Sequence, residues 1–419
     1  MRVLHLNTDD VKGGAARAAH RLHVGLRRAG VDSSMFVLRR SSDDLHVRAA
    51  APPANPLAWL RRTLRRRTIE REFARYAAKR PDGLEPFSDD RTEFGALAEQ
   101  MPACDVLNLH WLRKFLDLGA FFATTQRPVV WTLHDMNAFT GGCHYDAGCG
   151  RFTDRCGRCP QLGSADEHDL SRAVWERKKA MFDALPAGRL HIVALCEWMA
   201  REVRRSPLLG RFPVSVIPNG LDTEVFAPRD RRAAREQLGL PVDGRLALFV
   251  AESVKNRRKG FQLLLDALRG LNLEDGITLL SIGRSPPELS PGCGHKHLGE
   301  IHDDATLAAA YSAADVFVLP SLQDNLPNTA LESLACGTPV VAFDTGGIPD
   351  IVRPGLTGAL APVGDPAALR KAITSLLGDS DALARMWAHC REVAVKEYAL
   401  EVQTKRYAAL YEKLLGQGG

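Results

Sequence analysis

The sequence predicts an α/β protein made of two parallel-sheet units in tandem. Three observations carry this: apolar runs of strand length recur, segments long enough for helices separate them, and the alternation restarts after a Pro-Asn-Gly turn at residues 218–220. The 419 residues, 45% hydrophobic and 25% charged with 35 Gly and 24 Pro, have ordinary globular composition and the length of two domains. Disorder, collagen and coiled coil are excluded.

Val3 to Leu6 reads as a buried strand. A turn at Gly13-Gly14 follows, after which Ala15, Ala18, Ala19, Leu22, Leu26 and Ala29 share one helix face until Gly30 stops it. Met35 to Leu38, Val106 to Leu109, Val129 to Leu133 and Ile192 to Leu195 continue the βα rhythm. Beyond Ile217-Pro218-Asn219-Gly220, strands are expected at Leu246 to Ala251, Ile277 to Gly283, Val316 to Pro320 and Pro339 to Phe343. Helical periodicity marks Phe261 to Leu268, Leu307 to Ala313 and Thr329 to Ala335. The expected domains are 1–210 and 211–396, with a closing helix over 397–419 that returns to the first. Each unit should carry its ligand loops at the carboxyl ends of its strands, so two units facing one another would form a cleft between them.

Charge is uneven. From Ala51 to Arg80 eight Arg and one Lys stand against Glu70 and Glu72, a local +7 within a chain whose net charge is +5. Leu60, Leu64, Ile69, Phe73 and Tyr76 recur there at spacings of three to five with arginines between them, which predicts an amphipathic basic helix over 58–80. Such a helix would either rest on an anionic membrane surface or pack, solvated, on the first domain. No nucleic-acid partner is expected. No apolar run reaches the ~18 to 20 residues of a spanning helix, and the start carries acids where a secretory signal needs an apolar stretch. A cytoplasmic location is therefore expected. Nine cysteines in a long chain do not suggest the disulfide framework of a small secreted domain. Four of them, Cys143, Cys149, Cys156 and Cys159, fall within a loop over 140–163 as C-x5-C-x6-C-x2-C, a density that suits either one structural Zn²⁺ or unmetallated thiols. The other five should pack as small hydrophobes.

The most informative passage runs from Leu319 to Ala342. A strand ends, Asp324 falls in the following turn, Pro327 suits a first helical turn, and Asn328 and Thr329 begin a helix whose start favours an anion such as a diphosphate. Glu332 lies further along that helix, where a carboxylate would accept both hydroxyls of a ribose. Upstream, Arg258 and Lys259 precede a helix at Gly260 and offer a planar fork and a point charge to a leaving diphosphate. Gly14, opening a helix after the first strand, would let a phosphate or sugar approach the backbone. The G-x-G-x-x-G pattern of nicotinamide and flavin sites is missing at that position. His134 follows the strand Val129 to Leu133, where its imidazole would meet a sugar hydroxyl and Asp135 would fix its tautomer.

Asp324 followed by Glu332, after Pro320-Ser321 and before Ala335-Cys336-Gly337-Thr338-Pro339, resembles the two-acid signature of the retaining family-4 glycosyltransferases of GT-B fold. Gly13-Gly14, Thr132-Leu133-His134-Asp135, Ile217-Pro218-Asn219-Gly220, Arg258-Lys259-Gly260 and Tyr311-Ser312-Ala313-Ala314-Asp315 extend the resemblance over nearly the whole chain. It implies two Rossmann-like domains facing a cleft, with a nucleotide diphosphate sugar as donor and a glycan or lipid-linked glycan as acceptor at the inner membrane face. It assigns the ribose to Glu332, the donor sugar to Asp324, the diphosphate to Lys259 and Gly14, and the cleft histidine to His134. No catalytic metal or cofactor is implied, because cations of the chain would neutralise the leaving group, and no Asp-x-Asp motif is apparent. A branch of the family carries a similar Cys-rich loop after Thr140-Gly141-Gly142. Three departures stand out: Asp324 replaces the usual Glu, Asn325 and Pro327 stand where the family commonly has Gly, with Pro327 removing one amide donor, and Glu252 and Ser253 occupy the place of an expected early Arg, for which Arg258 or Arg257 would substitute. Two other readings stay in view: a nucleotide-sugar epimerase on the same scaffold, and a non-catalytic glycan-binding or assembly protein, which the altered Asp324 and the missing early Arg suggest.

Overall fold

The computed structural model describes residues 1–51, 55–94, 97–186, 188–269, 276–284, 286 and 294–416, arranged as two compact units, Met1–Pro218 with Gln403–Gly419 and Asn219–Val402. In the first unit the chain runs β1 (Arg2–Asp9), α1 (Gly14–Arg28), β2 (Asp32–Arg39), β3 (Val47–Ala49), α2 (Pro56–Ala77), β4 (Val106–Leu109), α3 (Leu118–Thr124), β5 (Val129–Leu133), α4 (Leu170–Asp183), β6 (Leu190–Ala194), α5 (Glu197–Arg205) and β7 (Val214–Val216). Its seven strands lie in the order β3-β2-β1-β4-β5-β6-β7, all parallel. The central strands are apolar on both faces because helices cover both sides. Val106, Leu107 and Leu109 of β4 and Val129 and Val130 of β5 are all buried.

The second unit holds α6 (Arg231–Gln237), β8 (Arg245–Val250), α7 (Phe261–Leu268), β9 (Ile277–Ile282), β10 (Gly294–His297), α8 (Asp304–Ala313), β11 (Val316–Leu319), α9 (Asn328–Ala335), β12 (Val340–Phe343), α10 (Ile348–Ile351), β13 (Gly358–Ala361), α11 (Pro366–Leu377) and α12 (Ser380–Tyr398). Its six strands are parallel in the order β10-β9-β8-β11-β12-β13. Phe249, Leu264, Leu279, Val318, Val341, Phe343, Leu369 and Ile373 build its core. Aspartates set several helix starts: Asp303, Asp365 and Asp379 accept backbone N–H groups of the first turns of α8, α11 and α12.

Two boundaries differ from expectation. Val214–Val216 pairs with β6, so the first unit continues to Pro218, past the expected limit at 210. The closing segment is a separate helix, α13 (Leu400–Gly416), that starts after α12 ends at Tyr398. From Gln403 onward it belongs to the first unit, where Tyr407 and Tyr411 pack on Val3, Leu22, Val106, Val130, Val193 and Ile217.

In each sheet the strand order reverses once, between β1 and β4 and between β8 and β11. At such a point the loops leaving neighbouring strands diverge and open a crevice at the carboxyl ends. Gly13-Gly14 follows β1 and His110-Trp111 follows β4, while Arg258-Lys259 follows β8 and Asp324 follows β11.

Candidate functional site

At the second unit's reversal point, a short 3-10 turn at Arg257–Lys259 brings two cations to the loop leaving β11. Asn256 starts that turn by accepting the Arg258 N–H. The Leu322 N–H donates to the Arg258 carbonyl at 2.8 Å and ties the two loops together. Gly260 is required here: its φ is +66°, and a Cβ at that position would strike the Pro320 carbonyl.

Asp324 receives the cations. Its Oδ2 lies 2.7 Å from Lys259 Nζ and 3.1 Å from Arg258 Nη1, and the Ser321 hydroxyl donates to the same oxygen at 3.2 Å. Arg258 Nη1 also donates to the Gln323 carbonyl at 2.8 Å. Burial alone would push the Asp324 carboxyl up, but the charges of Lys259 and Arg258 prevail and hold it well below the ordinary value of 3.8. The group is therefore an ionised acid with two cations, locally net positive, and Lys259 keeps 29% of its side chain accessible. The exposed Arg257 faces solvent at the start of the turn.

Pro327 stands immediately before α9 as its capping residue, one place earlier than the first-turn position expected for it, and Asn328 and Thr329 are the first two helical residues. A helix supplies no carbonyl partner for its first amides. The Asn328 side-chain carbonyl accepts from Asn219 Nδ2 at 2.9 Å. Glu332, 3% exposed, accepts the Tyr311 hydroxyl at 3.3 Å. The second unit thus gathers Arg258, Lys259 and Asp324 in direct contact, with Glu332 one turn beyond the helix start.

In the first unit, Gly13 caps α1 with φ +90° and Gly14 is its first residue, both exposed. His134 follows β5 and lines a recess, open to solvent, together with His110, Trp111, Asp135 and His144. Its partner is not the one expected. Asp135 Oδ2 accepts from Trp111 Nε1 at 2.8 Å and pairs with His144 Nδ1 at 2.6 Å, while its Oδ1 accepts the Asn137 N–H. His134 Nε2 instead meets His110 Nδ1 at 3.0 Å. Burial lowers the His134 imidazole to about 4, against a smaller upward pull from Asp135, so the ring is neutral at physiological pH. His110, Asn108, Trp111 and His144 went unrecognised in the sequence; the available signal was a buried strand, β4, that carries Asn108 and is followed at once by His110, polar residues that an apolar strand does not require.

Cys143, Cys149, Cys156 and Cys159 line one small recess with Phe87, Phe152 and Gln161. All four are free thiols, and burial pushes Cys156 up to about 12 and Cys143 and Cys159 upward as well. Among the described residues no three His, Cys, Asp or Glu side chains are gathered as a metal ion requires, so ligation would have to draw these thiols together and displace their protons. Cys104, Cys196, Cys336 and Cys390 are buried; Cys293 lies outside the described residues.

The basic helix forms as α2 but departs from its expected apolar face. Ile69, Phe73 and Tyr76 are half-buried, and the latter two pack on Phe87, Leu162 and Leu170, whereas Leu57, Trp59, Leu60 and Leu64 are exposed. No helix among the described residues is long and apolar enough to cross a membrane.

Residues 244–379 match the family model of glycosyl transferases group 1, and residues 12–225 that of Glycosyltransferase Family 4. The chain is 33% identical over 210 residues to phosphatidyl-myo-inositol mannosyltransferase of Mycobacterium leprae, covering 48% of this chain and 54% of that protein. It is 34% identical over 194 residues to D-inositol 3-phosphate glycosyltransferase of Xylanimonas cellulosilytica, covering 42% and 46% respectively. The chain thus spans about half the length of the curated relatives it matches. Sucrose-phosphate synthase from Thermosynechococcus elongatus superposes over 100% of both chains with a TM-score of 0.68 at 22% identity. Anabaena HepE in complex with UDP-glucose superposes over 99% of this chain and 100% of its own with a TM-score of 0.65 at 15% identity. These likenesses establish the fold as GT-B. With the family model covering residues 12–225, just over half its length, the chain belongs to glycosyltransferase family 4.

Proposed function

We propose that the protein is a retaining glycosyltransferase that moves a sugar from a nucleotide diphosphate sugar to a hydroxyl of a glycan or lipid-linked glycan, in cell-surface polysaccharide biosynthesis. The observation that carries this reading is the Arg258–Lys259–Asp324 cluster at the second unit's reversal point, beside the start of α9. A net positive, half-covered group next to first-turn amides suits a diphosphate. Lys259, Arg258 and the Asn328-Thr329 amides would hold it, Glu332 would accept the ribose hydroxyls, and Asp324 would contact the donor sugar. Gly14 would serve the diphosphate and His134 the sugar from the first unit. In the transfer the anomeric carbon–oxygen bond to the diphosphate breaks, the acceptor oxygen bonds the same face of that carbon, and the acceptor proton passes to the leaving phosphate oxygen. Neither a protein nucleophile nor a catalytic metal is assigned.

The relatives' names speak of mannosyl and inositol-phosphate glycosyl transfer, and a structural neighbour holds UDP-glucose. A thermal-shift panel of nucleotide sugars should therefore begin with UDP-glucose and a mannose donor, since a bound donor raises the melting point by mass action. Nucleotide release that depends on acceptor supports transfer. Release without acceptor would indicate an epimerase, and a flat panel a non-catalytic assembly protein.

Two further parts of the proposal concern surroundings. A structural Zn²⁺ at Cys143, Cys149, Cys156 and Cys159, the mark of a Cys-rich branch of the family, is supported by their shared recess. Peripheral attachment to the inner face of the plasma membrane is supported by α2, where Leu57, Leu60 and Leu64 share an exposed stripe that continues into Arg67, Arg71 and Arg75.

A further inference from the structure

The recess around His134 is backed by a buried polar chain that the transfer proposed above does not use. Asn108 lies inside β4 and His110 just past its end, both buried. The hydroxyl of Tyr411, on α13, donates to Asn108 Oδ1 at 3.1 Å. That contact turns the Asn108 amide nitrogen to Thr132 Oγ1 at 3.1 Å and to His110 Nε2 at 2.6 Å. Thr132 Oγ1 lies in turn 2.8 Å from the Tyr407 hydroxyl, one helical turn before Tyr411. His110 Nε2 also meets His5 Nδ1 at 3.0 Å, and His110 Nδ1 meets His134 Nε2 at 3.0 Å.

The proton positions follow in order. An amide NH₂ only donates, so His110 Nε2 must be a bare acceptor. Its burial holds the His110 ring far below the ordinary histidine value, and the neighbouring His5 and His134 push the same way, so the ring is neutral with a single N–H. That N–H is at Nδ1 and points at His134 Nε2, which is thereby an acceptor. His134 is neutral too, so its proton sits on Nδ1, the nitrogen turned away from His110. His5 Nδ1 faces the same His110 Nε2, whose one lone pair is taken by the shorter contact from Asn108, so the assignment rests on Asn108 and not on His5.

We propose that Asn108 and His110 are positioning residues that lock His134 in its Nδ1–H form, so that His134 offers substrate a hydrogen-bond donor and has no lone pair free to act as a base. The substrate group it recognises is an oxygen acceptor, a sugar hydroxyl or phosphate oxygen, and this part rests on the transferase reading above. The tautomer itself does not.

The test therefore has two arms. Long-range ¹H–¹⁵N spectra of histidine-labelled full-length protein, with the His134 signals assigned through His134→Gln, read the tautomer directly. The wild type should show Nδ1–H at His134, and His110→Phe should shift it toward Nε2–H, the form a ring without this partner favours. Asn108→Leu removes the directing donor while keeping its bulk, and should mix the two forms if His110→Phe does not fold. Nε2–H at His134 in the wild type overturns the proposal without recourse to any variant, as does an unchanged tautomer in a folded His110→Phe. In the second arm, His110→Phe should lower kcat roughly tenfold, the equivalent of one hydrogen bond, at an unchanged donor KM. No turnover by the wild type with any donor, alongside the predicted spectra, would overturn the transferase reading and leave the tautomer lock standing.

Discussion

Replacing Asp324 by Asn tests the second unit's site because it removes charge and keeps shape. The carboxylate is 8% exposed and holds Lys259 at 2.7 Å and Arg258 at 3.1 Å. Removing one partner of a buried ion pair costs ~3–5 kcal/mol, because the remaining charge stays desolvated. Here Lys259 and Arg258 keep 29% and 15% of their side chains accessible, so a discounted loss of ~2 kcal/mol is expected. The same change should affect ligand in the opposite sense. A unit charge ~4 Å away is worth ~4 kcal/mol at an effective dielectric constant of 20. If water screens two thirds of that, the freed cations should bind a nucleoside diphosphate about tenfold more tightly in Asp324→Asn, while sugar transfer falls. Because the Asp324 carboxyl is held below its ordinary 3.8, its stabilisation is complete above that pH and is lost as pH falls toward the folded value. The stability gap between wild type and variant should therefore close on acidification below about pH 4. Urea denaturation at pH 7 and pH 3, with calorimetric titration of UDP, supplies the numbers. An unchanged denaturation midpoint at pH 7 together with an equal or weaker UDP affinity would refute the reasoning.

Glu332→Ala should weaken donor binding roughly 10- to 100-fold, whereas Tyr311→Phe, which removes only the internal bond to Glu332, should leave it nearly intact; equal UDP affinity in Glu332→Ala would end the ribose assignment. Metal analysis of protein purified without chelator should find about one zinc per chain, lost in Cys156→Ser with a lower melting point, and a metal-free wild type insensitive to chelator rules the site out. Burial lowers His134 and His23 to about 4 each, with Asp135 and Asp44 opposing, so both are buried neutral. The unfolded chain binds those protons first, so stability should be complete above pH ~6.5 and decline toward pH ~4; equal melting temperatures at pH 7.5 and pH 4.5 would contradict this. Flotation with anionic vesicles at low salt should carry the wild type upward and lose it in Leu60→Ser/Leu64→Ser, and no flotation of the wild type discards membrane docking.

The strands that the sequence reveals and those it hides divide by position in the sheet. Val106–Leu109 and Val129–Leu133 are interior strands covered on both faces, and continuous burial makes them apolar at every position except Asn108 and Thr132. The four strands missed, β3, β7, β10 and β13, are the four edges of the two sheets. An edge strand is recruited by its neighbour's backbone groups and need not be apolar: β10 is Gly-His-Lys-His and β7 is Val-Ser-Val, neither with a fully buried residue. The same logic applies to the sites. Asp324, Glu332 and Lys259 are visible because a helix start, a preceding turn and a motif fix them locally. The pairing of Lys259 with Asp324 spans 65 residues and that of Tyr411 with Asn108 spans 303, distances over which local pattern carries no information.

Sequence does carry a signal for such long-range partners, in polar residues where burial penalises them. His5, Asn7, Asn108 and His110 sit in or just past the two central strands of the first sheet and are all buried, and Ser321 and Asp324 occupy the corresponding loop of the second. Each would cost roughly 1–3 kcal/mol if left unpaired in an apolar strand end. Apolar residues would serve the sheet equally well at those positions, so stability alone does not account for them. They cluster where strand order reverses, the place at which a parallel sheet exposes diverging loops instead of a covering helix. Around Asp324 the result is an ionised acid with two cations, and around His134 it is a pair of neutral rings, His110 and His134, beside the Asp135 carboxylate. The first arrangement suits a charged leaving group, and the second, with an N–H of His134 directed outward, suits an oxygen acceptor.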